Sequence, residues 1–343
     1  MPENQNAIKT AIHAIGAGDS DKDWRVAPTE HARMFEQVAP SLAEDLRGAR
    51  LTGLAESFEE TDQVAIRAQN LFKSTAGKAN IAVFATAMFG ALLMVSGGLH
   101  TLMGDMGVWV VRGMGLTGFI ASGLGAMWLR QVQNGRLLNR WLETRAKAEA
   151  RRLKYFKTVL EHATDTVQDR LYAFEYTRRF LLDNQLDYFR DRRAQHDNAD
   201  RNAVNKSSLS LFLSSTFTAI AGFLAMWKPE LALLAGLGAI ATAYGAMKKS
   251  QSEMNLDSKN AIRYATARER LFERKLELDD YRNRIAEGDF DAIAEFFEPI
   301  FVTLEADHQT FLSQPERREL AIGNMEKRLD AASEVLRKQT ASN

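Results

Sequence analysis

Two blocks of apolar sequence, residues 79–129 and 207–249, constrain this chain more than any other feature. Each divides into two stretches almost free of charge. The first, from Ala79 to about Leu102, has no formal charge when His100 is neutral. The second, from about Met106 to Leu129, carries only Arg112. The third runs from about Ser207 to Trp227 and the fourth from Leu231 to Met247. A helix needs about 20 mostly apolar residues to cross the hydrocarbon core of a bilayer. The first three stretches reach that length and the fourth is at its short limit. The sequence predicts an all-α polytopic membrane protein, with four transmembrane helices in two hairpins and long cytoplasmic helical hairpins. Buried core helices of a soluble protein are the competing reading.

Basic residues set the expected orientation. Arg67, Lys73 and Lys78 precede the first stretch, and Arg130, Arg136 and Arg140 follow the second. Arg192, Arg193, Arg201 and Lys206 precede the third, and Lys248 and Lys249 follow the fourth. The short loops hold only Asp105 in one, and Lys228 with Glu230 in the other. Both termini and the central region are therefore expected in the cytoplasm. Trp109 and Trp128 stand near the ends of the second stretch, as interfacial anchors do. Pro229 suits the first turn of the fourth helix. The expected domains are an N-terminal cytoplasmic helical region (1–78), a transmembrane hairpin (79–129), a cytoplasmic helical hairpin (130–206), a second transmembrane hairpin (207–249) and C-terminal cytoplasmic helices (250–343).

Small residues recur at spacing four within these stretches: Gly118 with Ser122, Ala121 with Gly125, and Ala235 with Ala239 and Ala243. Such faces let helix backbones approach closely. They predict a packing surface, either inside one chain or as an oligomer seam. Arg112 has two readings, snorkelling to headgroups or lining a pore.

Outside the apolar blocks the pattern is amphipathic helix. Leu153, Phe156, Leu160, Ala163, Val167, Leu171 and Phe174 recur at steps of three and four. Residues 130–206 must leave the membrane and return, which two helices of roughly 40–50 Å accomplish at 1.5 Å per residue. Their turn is expected near 162–168. Further on, Gly288 marks a break, Asp289 is a candidate N-cap, Pro299 a kink or a division of that helix, and Pro315 precedes a last helix over 316–338. Residues 39–73 also read as helix, and 1–28 as loosely ordered.

Several function classes are disfavoured. There is no cysteine, hence no disulfide, thiol nucleophile or cysteine-based metal site. The N-terminus lacks the basic and apolar regions of a signal peptide. Lys and Arg number 44 against 44 Asp and Glu, so no nucleic acid partner is expected. No phosphate-loop or dinucleotide fingerprint is present, and the glycines of GMGLTGFIASGLG sit inside an apolar stretch. The 6 histidines form no HExxH pair, and Asp307-His308 are adjacent and point to different helix faces. The acidic cluster of Glu59, Glu60 and Asp62 reads as solvated helix surface. The basic run from Arg145 to Lys154 reads as a solvated face or a contact to anionic headgroups. Catalytic residues, metals and cofactors are all expected to be none, and the chain to be no enzyme.

One local pattern carries a resemblance. After the first apolar pair come Trp141, Arg145, Ala148 and Glu149, and before it stands Gln69 within AIRAQNLFKST. This arrangement resembles the SLATT superfamily and its DUF4231-like bacterial membrane proteins. The second half is similar to a divergent copy: Ala246-Met247 answers Ala126-Met127, with Tyr264 and Glu269 at comparable places but no tryptophan. The resemblance implies a bacterial inner-membrane effector of a defence or conflict system, oligomeric and pore- or channel-forming when a separate cytoplasmic sensor activates it. The alternative is a membrane-anchored scaffold whose cytoplasmic helices recruit a soluble partner. The expected partners are the lipid bilayer, further copies of the chain, and that sensor.

Overall fold

Helix accounts for 91% of the structure, and no strand occurs among the described residues of this computed structural model. Those residues are 2–16, 25–96, 104–164, 166–228, 231–232, 234–313 and 315–342. The expectations placed on His100 and Pro229 fall outside them. In chain order the helices are α1 (Pro2–Ile15), α2 (Pro28–Phe35), α3 (Pro40–Arg47), α4 (Ala49–Met94), α5 (Asp105–Asn134), α6 (Leu137–His162) and α7 (Val167–Thr177). A π-helical turn, Arg178–Asp183, leads into α8 (Asn184–Ala225). Then follow α9 (Leu234–Asn255), α10 (Asp257–Leu276), α11 (Leu278–Ala286), α12 (Asp291–Leu312) and α13 (Pro315–Ser342).

Local chemistry accounts for most boundaries. Prolines open α2, α3 and α13, where a missing N–H costs nothing. The expected turn between α6 and α7 falls after His162, and the Thr166 hydroxyl caps α7 by accepting from Asp169 N at 3.2 Å. Gly288, at φ +93°, separates α11 from α12. Asp289 is not the N-cap of α12. Phe290 holds that position, and Asp289 instead pairs with Arg284 at 2.6 Å. Pro299 does not divide α12. Its missing N–H frees the Glu295 carbonyl, and Arg274 Nη2 donates to that oxygen at 2.9 Å.

The chain forms two compact units, each drawn from three separate segments. The first comprises Met1–Arg67, Trp141–Gln195 and Asn260–Ser313. Its core is aromatic: Phe174 meets Phe296 and Phe297 at centroid distances of 5.1 and 5.2 Å. Tyr176 OH bonds both His31 Nδ1 and Tyr155 OH at 2.8 Å. Glu175, 1% exposed at its side chain, accepts from Arg178 at 2.5 Å and from Arg282 at 2.6 Å. Residues 2–15 are not loosely ordered as expected. Ala7, Ile8, Ala11 and Ile15 form an apolar stripe at steps of one, three and four that buries Ala11 and Ile15 completely. Arg178 and Arg179 donate to the carbonyls of Gly16 and Ile15 at the end of that helix.

The second unit comprises Ala68–Arg140, His196–Lys259 and Gln314–Asn343. Among the described residues, three helical runs are long and apolar enough to cross a membrane: Ala49–Met94, Asp105–His162 and Val167–Ala225. Of their most apolar windows, only 39%, 17% and 11% is buried, so these side chains face outward rather than into a protein core. The apolar part of α9 falls short of that length among the described residues. Leu233 lies outside them, and Lys248 and Lys249 end its apolar stretch.

Candidate functional site

The seam of small residues on α5 is filled from within the chain. Helix α13 lies antiparallel along it: Leu329 meets Gly125, Ser333 meets Ser122, Leu336 meets Gly118, and Thr340 meets Gly115. The two serine hydroxyls are 2.6 Å apart. A Cβ at Gly118 would stand 2.7 Å from Leu336 Cδ2 and 3.1 Å from Phe89 Cβ, so glycine lets the two helices approach without displacing the Leu336 methyls. Ala121, at the same spacing, is half-buried. Gln133 donates to Glu326 at 3.0 Å near the other end of the pair. From its sequence, 316–338 is expected among the cytoplasmic helices. In the structure this helix runs beside the apolar part of α5.

Helix α9 uses glycines where alanines were expected to pack. Ala235 and Ala243 are half-buried and Ala239 is exposed. Close approach occurs instead at Gly238, where a Cβ would be 2.8 Å from the Ser214 carbonyl oxygen, and at Gly245, facing Ser210. Thr242 adds a 2.7 Å hydrogen bond to Ser214 of α8. On its other side α9 meets α4, through Asn80 donating to Met247 O at 3.0 Å and a Phe84–Tyr244 ring contact.

The outward faces are apolar. On α5, Leu116 is 65% and Ile120 55% exposed, and Phe119, Leu124 and Met127 join them. On α8, Leu209, Leu211, Phe212 and Phe223 are exposed. Arg112 is exposed beside Trp109, its guanidinium carbon 5.5 Å from the ring centroid.

A second constellation lies in the first unit, around the residues that carry the resemblance. Arg145 bridges Asp62 at 2.7 Å and Glu149 at 2.5 Å, and Arg152 holds the other oxygen of Glu149 at 2.9 Å. Ala148 is fully buried, and Trp141 packs edge-on against Phe311 at 5.5 Å. Burial opposes the charge on Glu149, but Arg152 and Arg145 outweigh it and hold its carboxyl below the usual range. Asp62 is part of this cluster rather than the free surface expected, and burial raises its pKa against the pull of Arg145. Arg263 stacks on Tyr264 and Phe311 and lies 3.1 Å from Asp307 without the alignment of a hydrogen bond. Burial therefore prevails over Arg263, and the Asp307 carboxyl is pushed up to about 6. Burial also lowers the pKa of His308, against the attraction of Glu149. Tyr264 is buried here and Glu269 is exposed. The participation of Asp307, His308 and Arg263 was not read from sequence, because it depends on α12 meeting α6 and α10. The partner strip on α13 did leave a signal, the step pattern Leu329, Ser333, Leu336, Thr340.

No protein-family model matches the chain, and neither a curated protein nor a solved structure resembles it significantly.

Proposed function

We propose that the chain is a non-enzymatic membrane effector that assembles through its membrane helices and opens a polar path across the bilayer. In this reading the four apolar stretches span as two hairpins. The antiparallel contacts of α8 with α9, and of α4 with α9, support that arrangement. The observation that carries the reading is α13. It lies level with Gly115 to Gly125 of α5, about 6 to 21 Å inside the end of the apolar stretch at 1.5 Å per residue. Its Asp330, Glu334, Arg337 and Lys338 turn away from α5 and are exposed. A charge at such depth facing lipid costs about 2.5–3.5 kcal/mol on insertion scales, on the order of 10 kcal/mol for the set. A ring of copies that turns these faces inward removes the cost, while the apolar faces of α5 and α8 remain toward lipid.

The ion cluster around Arg145 and Glu149 gives the cytoplasmic helices a rigid body on which a sensor protein can act. Placement in the bacterial inner membrane and a role in defence rest on the SLATT resemblance. The experiment is reconstitution in liposomes loaded with a small dye. Leakage is expected, together with cross-linked species larger than a monomer. A monomeric protein that leaves the dye inside, even when co-expressed neighbours are added, favours the scaffold reading. Phage challenge of cells with and without the gene tests the defence role.

A further inference from the structure

Helix α13 is two-faced in a way that its neighbours are not. At about 100° per residue, Glu319, Lys327, Asp330, Glu334, Arg337 and Lys338 fall within about a third of its circumference. All are exposed. The adjoining side holds Ile322, Met325, Leu329 and Leu336, which are buried, and Ser333 and Thr340, which meet α5. The charged side is balanced in sign and ordered along the helix. Asp330 and Glu334 come first, level with the inner half of the apolar part of α5. Arg337 and Lys338 follow, level with its middle. Glu334 and Lys338 are 2.7 Å apart, with side chains 58% and 74% exposed.

We propose that this face of α13 is the water-bearing wall of the conduit and that the permeant species are small inorganic ions of both signs. The inference rests on the membrane reading given above. Charged side chains at membrane depth line aqueous paths or pair within protein, and rings of them set ion preference. An acidic zone in series with a basic zone gathers cations in one part of the path and anions in the next. Current then passes more easily when the cytoplasmic side is positive, which drives both ion types toward the junction between the zones. Arg112, beside Trp109 on the apolar side of α5, is not part of this wall.

The chain has no cysteine, so single thiols report cleanly. The full-length protein carrying Asp330→Cys, Glu334→Cys or Phe119→Cys is reconstituted in liposomes and treated with a charged maleimide that does not enter lipid. Labelling is expected at 330 and 334, and at Phe119→Cys only after detergent is added. If Phe119→Cys is labelled without detergent, α5 does not face lipid, and the membrane reading and the inference fall together. If all three stay unlabelled, the inference alone is overturned. In planar bilayers, Asp330→Lys with Glu334→Lys is expected to shift the reversal potential toward anions and abolish rectification. A conducting variant with unchanged selectivity overturns the wall assignment, and absence of any current through the unmodified protein overturns the conduit itself.

Discussion

Enlarging Gly118 tests whether α13 belongs against α5. A Cβ there already meets Leu336 at 2.7 and 3.1 Å and Phe89 at 3.1 Å. The Leu336 methyls are the far end of a flexible side chain, so Gly118→Ala shifts them and costs little. Gly118→Val adds two further methyls against the Phe89 Cβ and has nowhere to place them. Overpacking of this kind costs about 1–3 kcal/mol, a change of about 5- to 150-fold in the equilibrium between docked and undocked α13. The reporter is a disulfide between Ser122→Cys and Ser333→Cys, whose parent oxygens are 2.6 Å apart. That separation suits the short Cβ distance of a disulfide, and no native thiol competes. Under mild oxidation the pair should close quickly in the parent, slightly more slowly with Gly118→Ala, and at least fivefold more slowly with Gly118→Val. Equal closure in all three would refute the docking of α13 on α5.

Glu149→Ala removes the carboxylate that Arg145 and Arg152 share, leaving Arg145 with Asp62 alone. Loss of about 3 kcal/mol is expected from a broken buried pair, read as a lower thermal midpoint by circular dichroism. Asp307→Asn changes the pH dependence of stability. The folded carboxyl titrates near 6, against a reference value of 3.8. Its contribution is therefore fully present below about pH 4 and lost as pH rises through 6, a difference of about 3 kcal/mol. The variant should match the parent at pH 4 and exceed it at pH 7, and a lower midpoint at pH 7 refutes this. Arg112→Gln is expected to leave ion selectivity in bilayers unchanged, and a shifted reversal potential would place Arg112 in the wall.

Much of this architecture was legible in the sequence, for physical reasons that differ between elements. The apolar stretches of α4, α5 and α8 stand out because lipid tolerates so few charges. The turn after His162 was found by length alone, since an out-and-back path must reverse near its middle. What stayed hidden depends on tertiary choice. Helix α13 looks like an ordinary solvated amphipathic helix, and only its contact with Gly118 and Gly125 places it beside an apolar neighbour. Glycines outcompeted alanines on α9 because its partners approach with backbone atoms, as Ser214 does at Gly238. Pro299 does not divide α12, and Arg274, distant in sequence, supplies a donor to the carbonyl that the proline leaves free. The ion cluster at Glu149 was visible only as a local Arg-Glu spacing, and its second carboxylate, Asp62, arrives from α4.

The π-helical turn at Arg178–Asp183 has a practical consequence for anyone trimming this chain. A widened turn holds an extra residue and changes the angle between successive side chains. Here two adjacent arginines converge on one peptide end, Ile15 and Gly16. Both are only 8% exposed. Deleting residues 2–16 as a dispensable leader would strip acceptors from two enclosed guanidiniums at once. Deleting a single residue within 178–183 would rewind the turn and aim one of them elsewhere. A shortened version of the protein should therefore keep its first helix, and a tag is better carried before it than in its place.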